Sequence, residues 1–387
     1  MEQVHKIQTS QFSTRLLKPQ DLTDRDILTW KNLESRAIEA NAYLSPNFVI
    51  PAIRHLENNS KIYILAIDKN NAGSSDLVGV FVFKVNKFSK FFPLPHLSAF
   101  HSRHSFLSGI LADKDCASEV VKIVFDHLFS SSLKWHGIVF EDHPMQGHLA
   151  EIEKIVTSQM GMKWLSFMEW DRSILYPPKP GENNTNSLSK HIRKNYRRSM
   201  RGLNDIGQVK WEIVEGDELT SVNVDDFIRL ENMGWKGARK SSIYSHPNYA
   251  SFFREMIENF NKDGRTFFTE LRLDDQIIAS TSNIISGNAG FAFKIGWELG
   301  YAKHSPGILN QLALMDSKEN TFTQLKYIDS GSAKESFINY IWPEKRQMYS
   351  GVFIRSNIGK LIMPCLQFGL YPGFGFAKNI KHRFLGH

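Results

Sequence analysis

The residues that could do chemistry gather in one stretch, Phe291 to Gly331, FAFKIGWELGYAKHSPGILNQLALMDSKENTFTQLKYIDSG. A strand-like run ends in a turn. Ser305-Pro306-Gly307 then opens a helix, and a second short strand closes on Asp329-Ser330-Gly331. Strand, small-residue turn and helix start together present backbone N–H groups and the positive end of a helix dipole to a phosphate. The expected ligand is a nucleotide-like molecule or an acyl carrier. Ser305, Gly307, Ile308 and Leu309 would form the seat, and Lys303 and His304 would add positive charge. The plainer account is a well-made helix start, since Ser is a good cap and Pro is favoured at the first helical position. Asp329 ends a strand, where sites in α/β folds usually lie, and could bind or deprotonate an amine. It could equally form a turn or a cap.

The elements that must position these groups are legible upstream. Residues 188–206, LSKHIRKNYRRSMRGLNDI, carry Leu188, Ile192, Tyr196, Met200 and Leu203 at helical spacing. The other faces carry Lys190, Arg193, Lys194, Arg197, Arg198 and Arg201, with Asp205 the one opposing acid. This predicts an amphipathic, strongly basic helix. Arg197 and its neighbours could bind a polyanion such as tRNA or a 3′-phosphate. A solvated face between domains explains them as well.

A Pro/Gly/Asn run, residues 177–187, separates an N-terminal half, residues 1–176, from a C-terminal one, residues 188–355, followed by a tail, residues 356–387. The halves resemble each other. Ser45-Pro46-Asn47-Phe48 precedes a helix pattern and two strand patterns, KIYILAID and LVGVFVFKV. His246-Pro247-Asn248-Tyr249 precedes a helix pattern and the strand patterns FFTELRLD and QIIASTSNIIS, 201 residues further on. Asp274-Asp275 and Asn288-Ala289-Gly290 read as hairpin turns. A duplicated α/β unit is expected.

At 387 residues, 42% hydrophobic and 22% charged, the chain has room for two or three globular domains. Its net charge of +7 favours anionic partners without choosing among them. The longest apolar runs are far below the roughly 20 residues that span a bilayer, and the N-terminus lacks a signal-peptide core, so a cytoplasmic location is expected. Two cysteines, Cys116 and Cys365, make neither a disulfide framework nor a zinc site. His101, His104, Asp142, His143 and His148 lack metal-ligand spacing, and no metal is expected. There is no Walker loop, no G-x-S-x-G and no G-x-G-x-x-G, which argues against a kinase, a hydrolase or a Rossmann enzyme.

The basic helix, the stretch Asn232-Met233-Gly234-Trp235-Lys236-Gly237, the run from Ile295 to Leu309 and Asp329-x-Gly331 together resemble the double-domain GNAT-like acyltransferases. This is the group around FemAB-type transferases and acetyltransferases of polysaccharide gene clusters. The resemblance covers roughly residues 20 to 350. It implies tandem GNAT-like domains, each a mixed, mostly antiparallel sheet flanked by helices. The C-terminal domain would bind the donor, and a degenerate N-terminal domain would wall the acceptor cleft. It further implies acyl transfer from acyl-CoA, acetyl-CoA or longer, to an amine of a sugar or small metabolite, with hydroxyl acceptors as a variant. The Ser305-Pro306-Gly307 helix start would seat the coenzyme A diphosphate. Glu298 would be the base toward the incoming ammonium and Tyr301 the acid toward the leaving thiolate. Trp235 and Lys236 would contact the acceptor. A solvated loop carboxylate and a packed tyrosine are the plain accounts of Glu298 and Tyr301. Two alternatives stand beside this: an aminoacyl-tRNA donor, and a non-catalytic GNAT-like protein that binds a polyanion. One departure from the family pattern supports the latter, because Ile338 stands where the group often has a Lys after an aromatic (here Phe337).

Overall fold

The computed structural model describes residues 11–57, 61–71, 73–130, 135–233, 237, 240 and 242–367. The first half runs β1 (Phe12–Leu17), α1 (Asp24–Ser35), α2 (Pro46–Leu56), β2 (Ile62–Asn71), β3 (Ser74–Asn86), β4 (His96–Ala99), β5 (Leu111–Ala112), α3 (Ala117–Ser130), β6 (Gly137–Pro144), α4 (His148–Gln159) and β7 (Lys163–Leu175). The second runs α5 (Lys190–Asn204), β8 (Val209–Glu215), α6 (Ser221–Glu231), α7 (Pro247–Lys262), β9 (Thr266–Leu273), β10 (Gln276–Ser286), β11 (Ala289–Trp297), α8 (Pro306–Met315), β12 (Tyr327–Asp329), β13 (Glu344–Ile354) and α9 (Asn357–Gln367). Single helical turns lie at Asn320–Thr323 and Ile338–Ile341.

Local chemistry accounts for the element ends. The Ser189 hydroxyl accepts the Ile192 N–H and starts α5. Pro247 occupies the first turn of α7, after His246, whose ring nitrogen accepts the Asn248 N–H. Asp274 takes the left-handed conformation, φ 52°, that the tight β9–β10 turn requires.

The chain forms two compact units that interleave along the sequence. Unit 1 comprises residues 1–46, 59–171 and 346–387; unit 2 comprises residues 47–58 and 172–345. The cut expected in the linker at 177–187 is thus not where contacts divide. In unit 1, β1, β2, β3 and β4 pair antiparallel in that order, β4 pairs parallel with β6, and β6 pairs antiparallel with β13. In unit 2, β8, β9, β10 and β11 pair antiparallel, β11 pairs parallel with β12, and β12 pairs antiparallel with the end of β7. The first half therefore lends the end of its last strand, and the second half its strand β13, to the other half's sheet. Helix α2 is lent as well. Phe48, fully buried, meets Phe252 of α7 at 5.4 Å and Phe293 of β11 at 6.4 Å. Asn47 donates to Asp263 at 2.7 Å, and Arg54 and His55 both pair with Glu255.

The core of unit 2 sits between α5, α8 and the sheet, around Leu203, Leu271, Ile278 and Leu309. Burial of five apolar side chains of α7, Phe252, Phe253, Met256, Ile257 and Phe260, contributes about 1.5–3 kcal/mol each. The linker lies against this unit. Thr185 donates its N–H to Asp316 at 2.9 Å, and Lys318 donates to the Glu182 carbonyl.

Candidate functional site

The start of α8 is the expected anion seat, and its hydrogen bonds show how much of it is free. Ser305 is left-handed, φ 52° and ψ 55°, which costs a non-glycine residue about 1 kcal/mol or more. Its N–H donates to Ala302 at 3.0 Å, and its carbonyl accepts both Ile308 at 2.9 Å and Leu309 at 3.1 Å. Pro306 has no N–H. Among residues 305–309 only the Gly307 amide lacks an acceptor within the described residues. The Ser305 hydroxyl makes no cap bond, so the expected serine cap is corrected: the residue occupies the cap position in a conformation that turns the chain instead. Gly307 itself is needed for close packing. A Cβ there would lie 3.1 Å from Trp297 Cδ1 and 3.4 Å from Ile295 Cδ1.

Helix α8 is fixed on the sheet by buried amides. The Asn310 side-chain nitrogen donates to the Thr269 carbonyl, Thr269 Oγ1 and Thr281 Oγ1, each at 3.1 Å, while its oxygen accepts Trp211 Nε1–H at 2.7 Å. Gln311 donates to Thr281 Oγ1 at 2.7 Å.

Beside the helix start lies a cavity of about 350 Å³, wholly within unit 2. One wall is a face of α5, with Ile192, Asn195, Tyr196, Ser199 and Arg198. The second is Lys303, His304, Ser305, Ile308, Leu309 and Leu312. Phe337, Tyr340 and Ile341 form the third. Apolar residues thus make most of the lining, with two cations among them. His304 is 9% exposed, and its Nε2 is buried without a hydrogen-bond partner. Burial, then the charge of Lys303, holds its pKa below the ordinary histidine value, so it is neutral at pH 7. Its ring fits because α5 has a glycine opposite it. A Cβ on Gly202 would be 2.6 Å from His304 Cε1. Burial raises the pKa of the Tyr196 hydroxyl on the opposite wall, with the nearby charge of Asp316 adding to the shift.

Five of the six proposed cofactor residues line this cavity: Lys303, His304, Ser305, Ile308 and Leu309. Gly307 supplies the free amide just behind it. The remaining candidates lie elsewhere. Glu298 accepts from Arg229 at 3.0 Å and is mostly buried. Tyr301 sits at a kink in the turn before α8, on the fringe of the unit 2 core. Asp329 is 1% exposed, accepts the Gly331 N–H at 2.8 Å and lies 3.8 Å from the buried Arg172 guanidinium. It makes the turn that its plain account foresaw. Arg197 is exposed on α5 outside the cavity, where its neighbour Arg198 enters the lining. Trp235 and Lys236 fall outside the described residues.

Near Asp329 the sheet opens. β11 pairs with β12 only from Ala289 to Phe291 against Tyr327 to Asp329, then runs on to Trp297 while β12 stops. Beyond Phe291, β11 has no β12 partner, and its far end reaches the start of α8 through Trp297 and Ile295. Sequence reasoning missed Asn195, Ser199, Tyr340 and Arg172. The first two were within reach, since Ile192, Asn195, Tyr196 and Ser199 recur at i, i+3, i+4 and i+7. No local pattern marks the other two.

Residues 190–337 match the family model described as an acetyltransferase (GNAT) domain. Among solved structures the chain is similar to FemX, with TM-score 0.56 and 10% identity over 90% of this chain and 100% of that one. It is similar to a conserved protein of unknown function from Bacteroides thetaiotaomicron VPI-5482, with TM-score 0.52 and 10% identity over 86% and 98%. It is also similar to the C-terminal domain of a putative lysylphosphatidylglycerol synthetase from Agrobacterium fabrum, with TM-score 0.50 and 10% identity over 90% and 97%. No curated protein sequence matches. The chain thus has a GNAT-like fold in two units, like that of FemX, with residues 190–337 the part that matches the GNAT domain. Its structural cores are the two interleaved units described above.

Proposed function

We propose that the chain transfers an acyl group to an amine, and that the cavity between α5 and α8 holds the phosphate-bearing carrier of that group. The observation that carries this reading is the meeting of Arg198 and Lys303 at one apolar-walled cavity, whose wall at Ser305 and Ile308 flanks the free Gly307 amide. Acyl-CoA is the donor that a GNAT domain leads one to expect. One amide is a thin seat for a diphosphate, so the side-chain cations would carry most of its charge. The amine, on a sugar or a small metabolite, attacks the acyl carbonyl, and backbone N–H groups of β11 beyond its pairing with β12 stabilise the oxyanion. Glu298 takes the ammonium proton directly or through water, Arg229 holds it in place, and Tyr301 returns a proton to the departing thiolate. No enzyme-bound intermediate is needed, because proximity supplies much of the rate.

A second reading has a specific observation in its favour. Lys190, Lys194, Arg197 and Arg201 are exposed along α5 beyond the cavity, and none forms an ion pair with another described residue. A coenzyme A diphosphate has no use for a cationic track of that length, whereas the acceptor stem of an aminoacyl-tRNA does.

The test is a thermal-shift titration with coenzyme A, acetyl-CoA and a long-chain acyl-CoA, on the chain and on Lys303→Glu and Arg198→Glu variants. A saturable shift lost in both variants supports the cavity as the seat. A shift that both variants retain refutes it. No shift with any of the three, together with tRNA binding that falls steeply with salt, moves the donor to aminoacyl-tRNA. Binding of either ligand without turnover of any amine leaves a polyanion-binding protein.

A further inference from the structure

Unit 1 ends in a helix that is apolar on nearly every side. Along α9, Asn-Ile-Gly-Lys-Leu-Ile-Met-Pro-Cys-Leu-Gln, Leu366 is buried, and Ile362 and Met363 pack with Phe91, Phe92 and Leu94 of the loop after β3. The other side carries Ile358, 58% exposed, and Leu361, 78% exposed. The same loop displays Phe88, 72% exposed, just before a turn in which Ser89 Oγ accepts the N–H groups of Phe91 and Phe92. A helix that is apolar all round is normally surrounded, and here, among the described residues, one side is not.

Charge identifies what covers it. Residues 86–95 and 355–367 contain Lys87, Lys90, Arg355 and Lys360 and no Asp or Glu. Lys90 Nζ stays at the loop, 4.5 Å from the Phe91 ring. Glu169, two residues along β7 from Phe167 of the same cluster, is one acid against four cations. The 20 residues after Gln367 add Lys378, Lys381 and Arg383, five aromatic residues and again no acid. Folding that tail over the face, or apposing a second copy, would bring like charges together. An anionic bilayer neutralises them and accepts the apolar side chains.

We propose that this face of unit 1 docks on the surface of an anionic phospholipid bilayer. Phe88, Ile358 and Leu361 enter the boundary between headgroups and acyl chains, and Lys87, Lys90 and Lys360 meet lipid phosphates. The inference does not depend on the acyl-transfer reading, because none of these residues belongs to unit 2.

The experiment is co-sedimentation of the full chain with vesicles of phosphatidylcholine, alone or mixed with phosphatidylglycerol. The chain is expected to pellet with the mixed vesicles, not with phosphatidylcholine alone, and to be released by salt. Leu361→Asp and Phe88→Ser, on separate elements, are each expected to weaken binding at least about tenfold without moving the melting temperature. A chain ending at Gln367 should still bind and should still lose binding on Leu361→Asp. No pelleting overturns the proposal, as does pelleting that neither substitution weakens. Binding abolished by removal of residues 368–387 alone overturns it too, since the tail would then be the contact. A dimer that Leu361→Asp converts to monomer, with no vesicle binding, overturns it in favour of a second copy.

Discussion

Replacing Asn310 with Ala should loosen the helix whose start is proposed as the anion seat, and the hydrogen bonds set the size of the effect. The side chain is fully buried, and it bonds Thr269 twice, Thr281 once and Trp211 once. Alanine removes these four contacts and strands one group that cannot turn elsewhere, the Trp211 indole N–H; the Thr269 carbonyl lies in β9, which is paired on both sides. The two hydroxyls can rotate, and Thr281 keeps Gln311. At about 0.5–1.5 kcal/mol for each of the three other net bonds and about 1–3 kcal/mol for the stranded group, the expected loss is about 5 kcal/mol. Gln311→Ala breaks one bond to a hydroxyl that Asn310 still engages, so about 1 kcal/mol is expected. The difference between the two variants is the informative quantity, since both remove one amide from the same helix turn. A two-unit chain need not unfold in one step, so a global midpoint alone is insufficient. Native-state hydrogen exchange read by mass spectrometry on peptides from α8 and β9 gives the local opening energy. A loss below about 1 kcal/mol for Asn310→Ala, or equal losses for the two variants, would refute the reasoning.

Four further outcomes are expected. In unit 1, burial pulls the pKa of His143 down, but Glu153, at 2.8 Å, the Ser108 carbonyl and the charge of Glu39 more than offset this and hold it above the ordinary value. Its contribution to stability is therefore full below about pH 6.5 and lost as pH rises through the raised native value. Because His96, His136 and His304 are shifted the other way, the measurement is a comparison of urea midpoints above pH 6.5. Glu153→Gln should be less stable than the unmodified chain, with a flatter profile. Gly202→Ala drives a Cβ into His304 and should cost about 1–3 kcal/mol while weakening donor binding, with His304→Ala restoring stability in the double variant. Glu298→Gln should lower kcat for acyl transfer by about a hundredfold or more with KM little changed, whereas loss in KM alone would remove Glu298 from the chemistry. A chain beginning at residue 177 lacks α2 and the end of β7, and should give a poorly packed unit 2. A cooperative transition for that fragment, seen by calorimetry, would contradict the exchange.

Much of unit 2 was legible because it rests on local signals. The basic helix follows from apolar residues every three or four positions, the β9–β10 hairpin from Asp274-Asp275, and the start of α8 from Ser305-Pro306-Gly307. The duplication was legible from two short motifs 201 residues apart. What could not be read depends on partners distant in sequence. Nothing near Phe48 says that its socket is made by Phe252 and Phe293. Nothing near Asp329 announces Arg172, which β7 delivers from the other half. Ser305 reads as a helix cap, and only the turn before it shows that the residue is left-handed and its neighbours' amides consumed. The linker reads as a boundary from composition, yet chain exchange makes contacts ignore it.

The exchange also bears on why a seat is proposed at one helix start and not at its counterpart. Equivalent positions of the two copies meet directly. Arg54 pairs with Glu255, and Gln146 donates to Gln347, each 201 residues apart. Contacts of that kind, with strand segments traded, are those of two copies built to complete each other. Such contacts constrain the strands and helices that trade places and leave the start of α3 free to diverge from the start of α8. It has diverged in sign. The start of α3 carries Asp113, Asp115 and Glu119 against Lys114, with Asp113 already held by Arg36, and this acidic excess disfavours a phosphate. The start of α8 is preceded by Lys303 and a neutral His304 and faces Arg198. Had both helix starts kept a cationic surround, a molecule with two donor seats would be the simpler expectation. With one acidic and one basic, a single seat in unit 2 is the reading that charge supports, and a donor titration should return one site per chain.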